Sequence, residues 1–116
     1  MKLGLCQINA TVGSFEANKN LILEYYEKCI YNGLDLAVFP ELIITGYPPQ
    51  DLLWEDGFIS ENLRILNEIS LVSTIPIILG FVREEKGKIF NSAALCYNGK
   101  LQQVTDKILL PTYDVF

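Results

Sequence analysis

The 116-residue sequence contains no histidine, and this absence excludes several kinds of catalytic site. Without imidazole, neither a Ser-His-Asp triad nor a Cys-His pair can form. Nearly all metal sites that depend on histidine ligands are excluded as well, so we expect no metal site and no cofactor in this chain. Any catalysis must therefore depend on carboxylate, lysine, thiol, tyrosine or backbone groups.

Cysteine is scarce and scattered. Cys6, Cys29 and Cys96 are an odd number of residues, far apart in the sequence and without a CxxC motif. This pattern does not indicate a disulfide framework or a zinc site, and it is typical of a protein of the reducing cytoplasm, which is the predicted location. We interpret each cysteine as a small buried apolar residue rather than a nucleophile.

The sequence also has few basic residues and no long apolar run. Nine basic residues against fourteen acidic residues give a formal net charge of −5, which argues against a nucleic-acid partner. No apolar run reaches the roughly 18 residues that suggest a membrane-spanning helix, so no membrane partner is expected. The opening MKLGLCQIN carries one basic residue and soon turns polar, so it predicts a strand rather than a signal peptide.

The apolar pattern predicts an α/β fold in a chain long enough for one domain at most. Apolar residues spaced by three and four predict helices over 16–32 and 58–72. Five other stretches predict strands: 3–8, 36–39, 76–82, 89–97 and 101–105. The strand-helix-strand order at the start predicts parallel strands, and Asn98-Gly99 predicts an antiparallel hairpin near the end. We therefore expect a mixed sheet with helices on one face.

The first candidate catalytic residue is Glu41, which follows the apolar strand 36–39 and Pro40. In open α/β sheets, ligands bind at the carboxyl ends of strands, which is where this carboxylate lies. The run Leu42-Ile43-Ile44 predicts surroundings of low polarity, in which a carboxylate can act as a general base. The alternative is a solvated carboxylate at a strand-loop junction.

The second candidate is Lys107, in the final segment DKILLPTYDVF. Apolar neighbours follow this lysine, and a positive charge held in a low dielectric can stabilise an oxyanion. The alternative is an ordinary surface lysine whose charged end reaches water.

Both segments resemble the catalytic segments of the nitrilase (carbon–nitrogen hydrolase) superfamily. FPEL followed by TGYPPQDLL is similar to the first segment of the glutaminase domain of glutamine-dependent NAD synthetases. Lys-x-x-Leu-Pro-x-Tyr-x-Val-Phe is similar to the second segment, and Asn-Ser-Ala at 91–93 resembles the strand before it. The resemblance implies that Glu41 is the general base and that Lys107 stabilises the tetrahedral intermediate. It also implies that Tyr47, Tyr113 and Phe116 bind the substrate, glutamine.

The same resemblance implies the N-terminal half of an αββα sandwich, forming a single incomplete domain over residues 1–116. In that family the nucleophile is a cysteine that follows the lysine segment, so we expect it after Phe116 and expect the chain alone to be inactive. The ammonia would serve a separate domain that amidates deamido-NAD. ATP and magnesium are expected only at that domain, because this chain has no glycine-rich phosphate loop.

The expected partners are glutamine, the remainder of a parent protein and further copies of the chain. Self-association is predicted because strand edges and an apolar sheet face, lined by residues such as Ile77, Leu79 and Leu95, would meet water. Two other functions stay open: that of another nitrilase-type amidase, and that of a non-catalytic interaction domain.

Overall fold

A computed structural model describes residues 1–109, apart from the side chains of Gln50, Ile108 and Leu109. The described part contains five strands, two α-helices and one short 3₁₀ helix over Gln50–Trp54. In chain order these are β1 (Leu3–Leu5), α1 (Phe15–Tyr31), β2 (Leu36–Val38), α2 (Phe58–Leu71), β3 (Ile77–Glu85), β4 (Lys88–Tyr97) and β5 (Lys100–Leu109).

The five strands form one sheet in the order β1-β2-β3-β4-β5. β1, β2 and β3 run parallel, whereas β3, β4 and β5 are joined as antiparallel hairpins. Asn98 and Gly99 both have positive φ angles, 57° and 75°, as a type I′ turn requires. The predicted α/β fold with a mixed sheet is confirmed.

The hairpin strands are longer than the apolar pattern predicts. β3 continues through Glu85 and β5 through Leu109, although both extensions are rich in charged residues. Lys86 and Gly87 adopt left-handed backbone angles at the tip, and Glu85 pairs directly with Lys88. The extra length therefore comes from backbone hydrogen bonds between antiparallel strands. The side-chain polarity of a single strand does not predict these bonds.

Both helices pack on one face of the sheet, as predicted. α1 ends close to the predicted boundary, with Gly33 at a φ of 69° and the Leu34 N–H donating to the Cys29 carbonyl at 3.0 Å. This is the left-handed helix end for which glycine is suited. The main core joins buried side chains of both helices to alternate residues of the sheet, including Ile22, Ile69 and Phe81.

The prediction for the helix-free face is partly wrong. Ile77 and Leu79 are fully buried in the core beneath the helices, so they do not line that face. Leu95 does lie there, because its neighbours on either side along β4 face the helices. Apolar residues occupy consecutive positions of β3, so sequence alternation does not identify which set turns toward the helices.

Candidate active site

Glu41 is positioned by close backbone packing against β3. The Phe39 N–H donates to the Ile78 carbonyl at 2.8 Å, and the Gly80 N–H donates to the Pro40 carbonyl at 3.3 Å. A Cβ at position 80 would lie 2.2 Å from the Leu42 nitrogen and 2.8 Å from the Glu41 carbonyl carbon. Only glycine fits this approach, so the backbone of Glu41 rests directly on the sheet.

Leu42 turns the chain sharply just after Glu41. Its φ of 50° lies in the left-handed region, which is uncommon for a residue other than glycine. The Leu42 side chain is fully buried in a second apolar cluster with Leu53, Phe58, Val82 and Ile89. Burial of the Leu42 side chain therefore stabilises a strained backbone conformation, and the turn at Leu42 leaves Glu41 exposed. Strained backbone conformations of this kind recur at functional sites.

A second loop, residues 9–13, packs against the loop that carries Glu41. Asn18 of α1 joins them: its side-chain amide donates to the carbonyls of Thr11 and Ile44 at 2.9 and 3.0 Å. Gly46 has no room for a side chain, because a Cβ there would lie 2.6 Å from the Val12 Cα. The two loops are therefore fixed relative to each other.

A pocket of about 220 Å³ opens between these loops and is lined by Ile8, Asn9, Ala10, Pro40, Glu41, Leu42, Ile43, Gly46 and Tyr47. The structure thus brings together Glu41 and Tyr47, two of the predicted site residues. Tyr47 is 67% exposed, so its ring stands at the mouth rather than in the core. Pockets for drug-sized ligands typically enclose roughly 300–1,000 Å³. This smaller pocket suits a small substrate or one part of a larger site.

Asn91 of β4 is a site residue that the sequence reasoning did not assign. Its side-chain N–H donates a hydrogen bond to Oε1 of Glu41. Asn91 is only 1% exposed, and its Oδ1 has no hydrogen-bond partner among the described residues. The sequence did contain a sign of this role, because Asn91 is an amide in the largely apolar strand IFNSAAL. Alternation along the strand places Asn91 on the same face as the buried Ile89.

Lys107 lies in β5, at an irregularity in the pairing with β4. Asn91 pairs with Ile108 and Ser92 pairs with Asp106, so Lys107 is the extra residue at a β-bulge. Its side chain is exposed, and the described lining of the Glu41 pocket does not include it. The link between the two candidates is β4, where Asn91 contacts Glu41 and pairs beside Lys107.

Asp106, next to Lys107, is held by two neighbours. Arg83 donates from Nε and Nη2 to the Asp106 carboxylate at 2.8 and 2.6 Å. The hydroxyl of Ser92 donates to Oδ1 of Asp106 at 2.6 Å. These bonds, chiefly those from Arg83, lower the pKa of Asp106 to about 2.

The remaining predicted binding residues, Tyr113 and Phe116, lie outside the described residues. Within residues 1–109, no cluster of three or more metal-ligating side chains is found. The helices of this same part are all too short or too polar to cross a membrane.

The three cysteines are buried and free, in agreement with their interpretation as apolar residues. Burial raises the pKa of Cys96 to about 11. Burial, with a hydrogen bond to Cys29, raises the pKa of Cys6 to about 12. Such thiols are almost fully protonated near neutral pH, which does not suit a nucleophile. Although Cys6 and Cys29 are distant in sequence, their sulfur atoms lie 3.6 Å apart.

Comparison with known proteins places these features in a family. The model of the family described as carbon-nitrogen hydrolase matches residues 2–115. Glutamine-dependent NAD(+) synthetases of Thermotoga maritima and Synechocystis are 34% and 37% identical, over 100% and 98% of this chain. The matched regions make up 20% and 22% of those proteins, so the chain spans about a fifth of the length of these curated relatives.

Solved structures of related proteins have the same fold as this chain. A glutamine-dependent NAD+ synthetase from Acinetobacter baumannii superposes with a TM-score of 0.87 at 32% identity, covering 99% of this chain and 22% of its own. An amidase from Nesterenkonia sp. superposes with a TM-score of 0.83 over 96% of this chain and 44% of its own, and at 21% identity it shows a shared fold alone. With the family model matching nearly every residue, the chain belongs to the carbon–nitrogen hydrolase family.

Proposed function

We propose that this chain supplies part of a glutamine-hydrolysing site in a longer, glutamine-dependent NAD synthetase. The observation that carries the proposal is Glu41, fixed on the sheet by Gly80 and Asn91 at the pocket shared with Tyr47. Similarity to the NAD synthetases over the whole chain supports glutamine as the substrate. The ammonia released would be used to amidate deamido-NAD.

The chemistry is acyl transfer. A thiol from another part of the proposed longer protein gives its proton to Glu41, and its sulfur forms a bond to the side-chain carbonyl carbon of glutamine. The positive charge of Lys107 stabilises the resulting oxyanion. Glu41 returns the proton to the nitrogen as the C–N bond breaks, and ammonia leaves. Glu41 then takes a proton from water as the water oxygen attacks the thioester carbon. The C–S bond breaks, glutamate leaves, and Glu41 returns the proton to the sulfur, which restores the thiol.

The placement of Glu41 suits these steps. Its backbone cannot shift toward β3, because the contacts at Gly80 are already close. One carboxylate oxygen is held by Asn91, which leaves the other oxygen available to carry the proton. A general base must be held near the reacting atoms, since small displacements cost large factors in rate.

The test uses the longer protein that the proposal requires, with this chain as one part of it and ammonia release from glutamine as the readout. Glu41→Gln should lower the rate at least about a hundredfold, the usual contribution of a general base. Asp56→Asn, which alters an exposed carboxylate outside the TGYPPQDLL segment, should leave the rate unchanged.

Two controls separate the alternatives. The 116-residue chain alone should release no ammonia above background, because its described thiols are buried. An undiminished rate in Glu41→Gln would contradict the role of Glu41, and faster hydrolysis of simple aliphatic amides than of glutamine would contradict the substrate.

A further inference from the structure

Two consecutive residues of β4 point in opposite directions and reach the two candidate catalytic segments. Asn91 donates to Glu41 on one side of the sheet. Ser92 donates to Asp106, the residue before Lys107, on the other side. Both are almost completely inaccessible to solvent, at 1% and 0% exposure.

The buried amide of Asn91 is unusual in its bonding. Nearly all buried side-chain polar atoms have a hydrogen-bond partner, and an exception calls for an explanation. Here the Oδ1 atom has none among the described residues, while the Nδ2 atom is committed to Glu41. An apolar side chain of similar size would remove the unpaired oxygen, so the amide is better explained by what its N–H group does to Glu41.

The position of Asn91 makes this hydrogen bond rigid. Its backbone pairs with Val82 of β3 on one side and with Ile108 of β5 on the other. A donor fixed in the middle of the sheet can hold one carboxylate oxygen in place, whereas Glu41 itself is exposed. Without this donor, the carboxylate could rotate freely into solvent.

Ser92 acts on the second segment through Asp106. The Asp106 carboxylate receives the hydroxyl of Ser92 and two N–H groups of Arg83. The Arg83 guanidinium is itself packed on the Phe90 ring at 4.6 Å. These contacts fix the side chain of Asp106 where the register between β4 and β5 shifts, and Lys107 is the extra residue of β5 at that same bulge.

We propose that Asn91 and Ser92 are positioning residues: Asn91 holds the Glu41 carboxylate, and Ser92 holds Lys107 in place through Asp106. This inference rests on the proposed function. β4 thus acts as a shared support that sets the spacing of the general base and the oxyanion-stabilising lysine, although neither of the two residues need touch the substrate.

The Asn91 contact can be tested on the 116-residue chain by NMR, independently of activity. The side-chain amide signals of Asn91 should move when Glu41→Ala removes the acceptor, whereas those of Asn67, exposed on α2, should not. Unmoved Asn91 signals would overturn this half of the proposal whatever the enzyme does.

The catalytic consequence is tested in the longer protein with glutamine as substrate. Asn91→Asp keeps the shape but removes the donor, and kcat should fall by tenfold to a hundredfold or so while KM changes little. Ser92→Ala should lower kcat in the same way, and Ser92→Thr, which keeps the hydroxyl, should restore most of it. Asn67→Ala provides the matched control.

Each result has a distinct meaning. Unchanged kcat in both Asn91→Asp and Ser92→Ala, or equal rises in KM alone, would overturn the positioning role. A fall in kcat for Ser92→Ala that is absent for Ser92→Thr would support the positioning role. A wild-type protein that fails to hydrolyse glutamine would overturn the proposed function, while the NMR measurement would still decide whether Asn91 holds Glu41.

Discussion

At the scale of single residues, the candidate site depends on small side chains that allow close approach. Gly80 admits the backbone at Glu41 and Leu42, and Gly46 admits the neighbouring loop. Leu42 adds a left-handed turn that only its burial makes tolerable. The position of the candidate catalytic carboxylate, Glu41, is therefore set by residues that have no proposed chemical role themselves.

Gly80→Ala should destabilise the chain. The new methyl group would meet backbone atoms of Leu42 and Glu41 that cannot move aside, as the nearest distance is 2.2 Å. Overpacking of this kind costs about 1–3 kcal/mol of unfolding free energy. Urea unfolding measures it, with Gly87→Ala as the control, since that position is open and only its positive φ is strained. Equal stability of the two variants would contradict the close-packing argument.

Asp106 should make stability fall at acid pH. Hydrogen bonds from Arg83, and then from Ser92, lower its pKa in the folded state from 3.8 to about 2. Its contribution is therefore fully present above pH 4 or so, and is lost as pH falls through about 2. The thermal midpoint of Asp106→Asn should fall less steeply over that range than that of the wild type. Asp56→Asn, at an exposed position, should follow the wild-type curve, and parallel curves for all three proteins would contradict the assignment.

At the scale of elements, polar side chains complete what the sheet leaves unpaired. Within the described sheet, β2 pairs with β3 at Ile77 and Ile78, and no described strand lies beside the same side of β3 further along. Asn62 of α2 accepts from the Val82 N–H at 3.0 Å and donates to the Val82 carbonyl at 2.6 Å. A helix side chain thus takes the place of a neighbouring strand.

Asn62→Ala should remove both of these bonds. Two buried backbone groups of Val82 would lose their partners, at about 1–3 kcal/mol for each group. A total loss of about 2–6 kcal/mol is expected in urea unfolding, together with faster hydrogen exchange at the Val82 amide. Asn67→Ala, at an exposed position of the same helix, should change little. A loss no larger than that of the control would show that water replaces the amide without penalty.

At the scale of the whole molecule, one face of the sheet carries no helix from residues 1–109, the part that the structure describes. The register aligns Leu5, Val38, Ile78 and Leu95 in a row across four strands. Leu5 at the end of the row is 65% exposed, and the outer edges of β1 and β5 have no neighbouring strand in the described sheet. Apolar surface of this kind usually marks an interface.

The chain is expected to associate through this row. Light scattering with size-exclusion chromatography at micromolar concentration should show species larger than a monomer, and Leu5→Lys with Leu95→Lys should reduce them. Leu71→Lys, which adds a charge on the helical side where Leu71 is 62% exposed, should not. A monomer that unfolds cooperatively throughout that range would contradict the predicted self-association.

Local patterns were sufficient to predict much of this molecule. Apolar spacing predicted α1 within a residue at each end, since a helix that packs on a sheet must repeat its buried face every three to four residues. In 58–72 the apolar spacing runs through Ile59, Leu63, Leu66, Ile69 and Val72 and so predicts a buried Leu63. The structure instead exposes Leu63 and buries Asn62. Asn62 is buried because it bonds to β3, a contact that no local pattern contains.

Local sequence was enough to specify the order and type of the elements, the hairpin at Asn98-Gly99 and the position of Glu41 after a buried strand. Each of these depends on residues close together in the chain. Two contacts became apparent only in the folded chain: Asn91, fifty residues further along, donates to Glu41, and Lys107 lies at a register shift. Such contacts depend on which strands become neighbours and in what register, and these are set by the packing of the whole sheet.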